Sequence, residues 1–158
     1  ALFALFSNPR VVRYWDAPAW RERAQAERFI ANCARIADEG GGARLAIERT
    51  DGGFIGQCGL LRFNRVHRSA ALTYSLDDRA WRRGFATEAV RALLRWGFET
   101  LDLNRVQAET DTRNTASIRL LERLGFLREG TLREDCIVEG EVSDTAVFGL
   151  LRREWTRS

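Results

Sequence analysis

One stretch narrows the possible folds more than any other: Leu76-Asp77-Asp78-Arg79-Ala80-Trp81-Arg82-Arg83-Gly84-Phe85-Ala86-Thr87-Glu88-Ala89. An apolar, strand-like run ends at Leu76, an arginine-rich turn follows, and Gly84 opens a segment reaching Thr100. In that segment Ala86, Ala89, Val90, Leu93, Leu94, Gly97 and Phe98 share one helical face. The apolar face must lie back on the sheet from which the strand came. The first N–H groups of such a helix have no partner and sit at the positive end of its dipole, so the turn is a ready anion site. Gly84 allows an anion close to the backbone, and Arg82 and Arg83 can add charge-assisted hydrogen bonds. The same pattern also fits an ordinary glycine loop with solvated arginines.

The remaining elements follow from periodicity and turn chemistry. Asp16 is positioned to cap a helix with Pro18 in its first turn. Trp20, Ala24, Phe29, Ile30, Cys33, Ile36 and Ala37 then recur at helical spacing until Gly40-Gly41-Gly42. Two strands, 43–49 and 54–63, are joined by Thr50-Asp51-Gly52-Gly53, whose Asp-Gly pair suits a tight hairpin. A third strand covers 70–76, a fourth 105–109. A second sheet-covering helix, 115–124, closes at Gly125, and two last strands, 126–137 and 142–150, turn around Glu139-Gly140. The order β-β-β-α-β-α-β-β predicts an α/β (α+β) domain with a mixed sheet covered by helices, neither a Rossmann fold nor a barrel.

Composition removes several functions. At 158 residues the chain reads as a single domain, 1–158, and 45% hydrophobic with 30% charged residues argues against disorder. Its net charge is only +3, with acids and bases interspersed, and no aromatic-basic stacking pattern is visible, so no nucleic-acid partner is expected. Every basic side chain is arginine. With no lysine there is neither a Schiff-base lysine nor a Walker A lysine, which disfavours a nucleotide hydrolase. Cys33, Cys58 and Cys136 lack disulfide or zinc spacing and read as buried apolar cysteines in a reducing compartment; no metal is expected. No apolar stretch approaches the roughly 18 residues of a membrane helix, and Ala1-Leu2-Phe3-Ala4-Leu5-Phe6 lacks the basic flank of a signal peptide. The expected location is the cytoplasm, away from a membrane. His67 stands alone and reads as a loop residue.

A second constellation is Asn114-Thr115-Ala116-Ser117, followed by Leu120-Leu121-Glu122-Arg123-Leu124-Gly125-Phe126. Asn114 can cap its helix, and with Ser117 one turn later it can present an amide and a hydroxyl to a ligand lying between helix and sheet. Taken in order, Trp81 through Ala89, Leu103-Asn104-Arg105-Val106, Asn114 through Phe126, Glu129-Gly130 with Leu132-Arg133, and Glu154-Trp155 resemble the GCN5-related N-acetyltransferases (GNAT). Within that family they are most similar to the RimJ/RimL-like branch, which acetylates ribosomal-protein N-termini. Phe6-Ser7-Asn8-Pro9 resembles the end of the family's first helix, which implies that its usual first strand precedes residue 1.

The resemblance implies the GNAT fold, with a mostly antiparallel central sheet, and acetyl-CoA as donor. Its pyrophosphate would lie on Arg82, Arg83, Gly84, Phe85, Ala86 and Thr87, and its pantetheine arm would pair like a strand beside Tyr74 to Leu76. Asn114 would hold that arm, Ser117 would lie near the sulfur, and Arg123 would approach the nucleotide phosphates. Two residues depart from the family pattern. Trp81 replaces a frequent Gln or Arg, which favours a backbone-dominated phosphate site, and Leu121 stands where many relatives carry a tyrosine acid, which moves attention to Ser117.

Acetyl transfer needs a neutral amine, a donor to the developing oxyanion and a proton for the leaving thiolate. The N–H near Leu76 is the expected oxyanion donor, Ser117 the candidate acid, and Asp77, Asp78 and Glu109 the candidate bases, whose alternative role is plain surface polarity. A lysine amine is neutral in only about one molecule in 2,500 at pH 7, an α-amine in roughly a tenth. A site with no obvious strong base therefore suits a protein N-terminal α-amine, such as that of a ribosomal protein. Small amines or antibiotics, and a non-enzymatic acyl-CoA sensor, are the alternatives. Tyr14, Trp15 and Glu139 are the expected acceptor contacts, with core packing the competing role for the aromatics. The assembly is expected to be a monomer or homodimer.

Overall fold

A computed structural model describes residues 1–155. Short helices α1 (Leu2–Ser7) and α2 (Pro9–Val12) lead through a bent segment to α3 (Arg23–Asp38). The remainder runs β1 (Gly42–Glu48), β2 (Phe54–Asn64), β3 (Ser69–Leu76), α4 (Phe85–Arg95), β4 (Arg105–Asp111), α5 (Thr115–Arg123), β5 (Leu127–Val138) and β6 (Glu141–Leu151). The predicted order is present in full. The sheet order is β1-β2-β3-β4-β6-β5, antiparallel throughout except for β3 beside β4.

That exception positions the site. The parallel pairing covers only Ser69–Leu72 against Arg105–Ala108. β4 then continues along β6 as far as Asp111, while β3 stays with β2 as far as Leu76. The two strands therefore part and leave an opening in the middle of the sheet.

Strand alternation divides the side chains between two layers. Cys58, Leu60, Ala70, Leu72, Val106 and Ala108 face α4 and α5, packing on Val90, Leu93, Leu94, Leu120 and Leu121 in the main core. A smaller cluster of Leu5, Phe6 and Val12 gathers Trp15, Trp20 and Phe29.

Three expectations change. The third helix begins at Arg23, not near Asp16 and Pro18, where Gln25 Oε1 accepts from the N–H groups of Arg21 and Glu22 at 2.8 and 3.0 Å. The preceding residues are held non-helical because the Phe6 ring takes Trp15 and Trp20 at 4.3 and 4.7 Å, and the Trp20 N–H donates to the Phe6 carbonyl at 2.9 Å. Tertiary aromatic packing outweighs the capping signal. The helix predicted to reach Thr100 keeps α-helical bonding to Arg95 and finishes in a wider π-helical turn, Trp96–Thr100. Of the three cysteines only Cys58 is buried, its thiol pushed up to about 11 by burial, whereas Cys33 and Cys136 are half-exposed.

Among the described residues no helix is long and apolar enough to cross a membrane.

Candidate active site

The two parting strands end in the same way. After β3, Asp77 Oδ1 accepts from the Arg79 N–H and Nε at 2.9 Å each, and Oδ2 accepts from Nη2 at 2.8 Å. After β4, Asp111 Oδ1 accepts from the Arg113 N–H at 2.8 Å and Nε at 2.9 Å, and Oδ2 accepts from Nη2 at 2.6 Å. These arginine hydrogen bonds hold both carboxyls below the usual carboxylate range. Each clamp sets the direction in which the chain leaves its strand.

Beyond the first clamp the chain makes one 3₁₀ turn, Asp78–Ala80, and reaches Trp81, whose indole Nε1 donates to the Leu76 carbonyl at 2.9 Å. Arg10 lies over the Trp81 ring at 5.6 Å and pairs with Asp78 at 2.8 Å. The loop is thus pinned to the strand end by a residue whose contribution is structural. Arg82 and Gly84 then adopt positive φ, 60° and 84°, with Arg83 between them, a curl that turns successive N–H groups to one side. A Cβ built on Gly84 meets nothing within 4 Å, so the space before the loop is open. The first helical bond of α4 comes from the Glu88 N–H to the Gly84 carbonyl, 3.0 Å, which leaves the N–H groups of Phe85, Ala86 and Thr87 without helical partners. Arg123 Nη2 lies 3.4 Å from Thr87 Oγ1. Folding therefore brings Arg82 through Thr87 and Arg123 to one place, where backbone donors and exposed guanidinium groups fit a pyrophosphate.

Beyond the second clamp the chain enters α5 directly. Asn114 Oδ1 accepts from the Ser117 N–H at 3.2 Å and caps the helix, leaving its amide group available. The Ser117 hydroxyl is 2.6 Å from the Tyr74 hydroxyl, a bond spanning the opening from β3 to α5. Burial pushes the Tyr74 phenol up to about 12, so it stays protonated through neutral pH. On β3 the Asp77 N–H donates back to the Ile55 carbonyl of β2 at 2.8 Å. By strand alternation the N–H groups of Tyr74 and Leu76 face the opening, where an extended amide chain can pair with them.

A cavity of about 490 Å³ occupies the opening, lined by Tyr14, Trp15, Arg44, Glu109, Asn114 and Ser117 among others. Glu109 accepts from Gln107 Nε2 at 2.7 Å. Tyr14 lies between the guanidinium groups of Arg13 and Arg113, at 5.3 and 5.8 Å. A separate, mostly apolar groove of about 560 Å³ runs between β1 and α4, bounded by Leu45, Ile47, Phe85 and Trp96, and shares no lining residue with the cavity.

Of the residues singled out from sequence, Tyr14, Trp15, Tyr74, Glu109, Asn114 and Ser117 come together in the cavity. Asp77 and Asp78 do not join them, being engaged with Arg79 and Arg10. Glu139 also lies outside and pairs with Arg21 at 3.1 Å. Leu121 is fully buried in the core. Three contributions were not foreseen: the Trp81 anchor, the Asp111–Arg113 clamp and Arg44. The repeated spacing Asp77-Asp78-Arg79 and Asp111-Thr112-Arg113 was a usable signal for the clamps; Arg44, in the middle of a strand, had none. Among the described residues no cluster of three metal-ligating side chains occurs.

Residues 1–127 match the family pattern of the acetyltransferase (GNAT) domain, Acetyltransf_3. The uncharacterized N-acetyltransferase p20 of Bacillus licheniformis is 36% identical over 152 residues, covering 95% of this chain and 85% of p20. The putative ribosomal N-acetyltransferase YdaF of Bacillus subtilis is 36% identical over 105 residues, 66% of this chain and 57% of YdaF. In three dimensions the spermidine N-acetyltransferase of Vibrio cholerae, solved with CoA and spermine, superposes with a TM-score of 0.86 at 22% identity, covering 97% of this chain and 89% of that one. A family pattern spanning residues 1–127 and a relative 36% identical over 95% of the chain lead to one assignment: the chain belongs to the GNAT family and is an acetyl-CoA-dependent N-acetyltransferase.

Proposed function

We propose that this enzyme, in the manner of the RimJ/RimL-like branch, acetylates the α-amine of a protein N-terminus in the cytoplasm, and that Ser117 serves the departing thiolate. The observation that carries the reading is the Tyr74–Ser117 hydroxyl pair, beside Asn114 at the parting of β3 and β4. In this scheme the loop Arg82–Thr87 and Arg123 hold the pyrophosphate, and the Asn114 amide and the strand edge at Tyr74 and Leu76 hold the pantetheine arm. The thioester supplies the activated acetyl group. A Tyr74 or Leu76 N–H faces the carbonyl oxygen as charge develops on it. As the amine nitrogen bonds to the acetyl carbon and the C–S bond breaks, Ser117 donates toward sulfur. Its proton is replaced through Tyr74 or water.

In this scheme Glu109, which lines the cavity, accepts the proton lost by nitrogen. Asp77 and Asp78, already holding arginines, are set aside for that role. An α-amine, with a pKa of ~7.7–8.0, is neutral often enough at pH 7 to need only this modest help. A second reading, a small polyamine acceptor, draws on Asp16, Glu109 and Asp135 lining the cavity and on the spermidine acetyltransferase of similar fold.

The deciding experiment measures thiol release from acetyl-CoA with N-terminal peptides, spermidine and lysine side-chain amines. Peptide α-amines are expected to exceed lysine side chains in kcat/KM by about tenfold or more at pH 7, in line with their larger neutral fraction. Spermidine as the only accepted amine overturns the α-amine reading.

A further inference from the structure

Alongside Asp16, Arg62 and Asp135, Arg44 is one of several charged groups in the cavity that the mechanism leaves unused. It sits in β1 opposite Gly59 of β2, which in turn lies opposite Thr73 of β3. Its stem runs across Gly59, where an added Cβ would come within 3.1 Å of Arg44 Cγ; the missing side chain gives the arginine its path. Phe29 of α3 covers the guanidinium, 4.9 Å from the ring centre. Its Nη1 reaches only Gln57 Oε1 at 3.3 Å and Thr73 Oγ1 at 3.4 Å, both long and both neutral. Among the described residues it forms no ion pair, although burial is severe enough to push its pKa down. Asp16, which lines the same cavity, acts on the guanidinium without reaching ion-pair distance, and burial outweighs it; with hydrogen-bond partners that are neutral and long, the guanidinium has lost water for little in return, an arrangement that a bound carboxylate would improve.

We propose that the acceptor carries a carboxylate close to its amine, and that Arg44 reads that carboxylate. The inference rests on the α-amine reading above and names the acceptor class within it. Thr73 follows Leu72, whose partner on β4 is Ala108, so Glu109 continues on the same face of the sheet as Thr73 and Arg44. Paired strands lie ~4.8 Å apart, but β3 and β4 part after Leu72 and Ala108, so a guanidinium reaching Thr73 faces Glu109 across the opening, at more than one strand spacing. The cavity therefore has a cationic wall and an anionic wall on one face. An amine whose own carboxylate lies a few bonds away spans that interval, with nitrogen toward Glu109 and the opening and carboxylate toward Arg44. Arg62, at a bulge of β2 with φ 54°, lines the same cavity and adds to the positive wall. The planar fork of Arg44 matches a carboxylate with two parallel hydrogen bonds. Two sources share this chemistry: a peptide beginning with Asp or Glu, and a free α-amino acid.

The test compares matched amines by thiol release: a peptide beginning with Asp against one beginning with Asn, and a free α-amino acid against its amide, with spermidine alongside. The parent enzyme is expected to favour one carboxylate-bearing member over its amide partner by about ten- to a hundredfold in kcat/KM, mainly through KM, the range of a charge-assisted hydrogen bond. Which pair shows the preference identifies the source. In Arg44→Gln the preference should fall to about one, and Arg44→Lys should restore part of it because charge remains without the fork. Acetyl-CoA affinity and thermal unfolding of each variant show that it is folded. A parent enzyme that accepts α-amines without preferring the carboxylate, or an unchanged preference in folded Arg44→Gln, overturns this inference and leaves the α-amine reading standing. Acetylation of spermidine alone overturns both.

Discussion

β3 and β4 are neighbours that finish on the same Asp-x-Arg clamp, yet the chain leaves the two clamps by different routes. After β3 it takes eight residues, Asp77 to Gly84, to curl through Arg82 and Gly84 and offers backbone N–H groups. After β4 only three residues, Thr112 to Asn114, precede α5, and the chain offers side chains, the amide of Asn114 and the hydroxyl of Ser117. The first arrangement suits a ligand recognised by charge and shape, since every residue has an N–H. The second suits a reacting bond, because a donor aimed at one atom must have a particular chemistry and direction. On the proposed function, the same local device thus serves binding at one strand end and reaction at the other.

The largest effect should come from breaking the first arrangement. In Gly84→Val a β-branched side chain is forced to a φ of 84° and projects into the open space before the loop. Affinity for acetyl-CoA should fall by about a hundredfold or more, as several charge-assisted hydrogen bonds weaken together. Calorimetry on the folded variant checks it, and unchanged affinity would mean that the pyrophosphate lies elsewhere.

A smaller effect is expected at the second strand end, and on a different quantity. Ser117→Ala should slow the single-turnover rate by about 10- to 100-fold with little change in acetyl-CoA affinity. Tyr74→Phe should reproduce part of that loss, because removing its hydroxyl leaves Ser117 without its 2.6 Å partner. The double variant should be no slower than Ser117→Ala alone, as expected for two groups acting through one bond. Independent, additive losses would separate the two hydroxyls.

The smallest effect concerns the clamp itself. Asp111→Asn keeps the shape but loses the charge that holds Arg113, and the melting temperature should drop by a few degrees at neutral pH. The Asp111 carboxyl is depressed in the folded protein, so its stabilisation is present above the unfolded value of ~3.9 and is lost as pH falls through the lower folded value. The gap between parent and variant should therefore close in acid. A gap independent of pH would show that the packing of the turn, not the charge, holds α5 in place.

The donor half of the site was legible in the sequence because it is local. Trp81 through Ala89 are consecutive, and Asn114 and Ser117 are one helical turn apart, so turn chemistry and helical spacing suffice to bring their groups together. Asp77 and Asp78 are local too, but their arginine partners include Arg10, which only folding brings near. The bend before α3 escaped the same kind of reading, since the Asp16 and Pro18 signals are overruled by stacking of Trp15 and Trp20 on Phe6, from a different helix.

In the other half of the cavity the sequence singled out Tyr14, Trp15, Glu109 and Ser117 one by one, but not how they meet, and it gave no sign of Arg44. Tyr14, Arg44, Glu109 and Ser117 come from four separate segments, and their meeting depends on the register of β1 on β2 and β3 and on the point where β3 leaves β4. By itself the sequence determined the order of elements, the glycine-containing turn before α4 and the family, all consequences of neighbours along the chain. Only the tertiary structure decided that Tyr74 meets Ser117, that Asp77, Asp78 and Glu139 stay outside the cavity, and that Arg44 crosses Gly59 to stand there with no ion pair among the described residues. Hydrogen-bond partners and buried charges are settled by groups distant in sequence, and periodicity carries no information about which of them will meet.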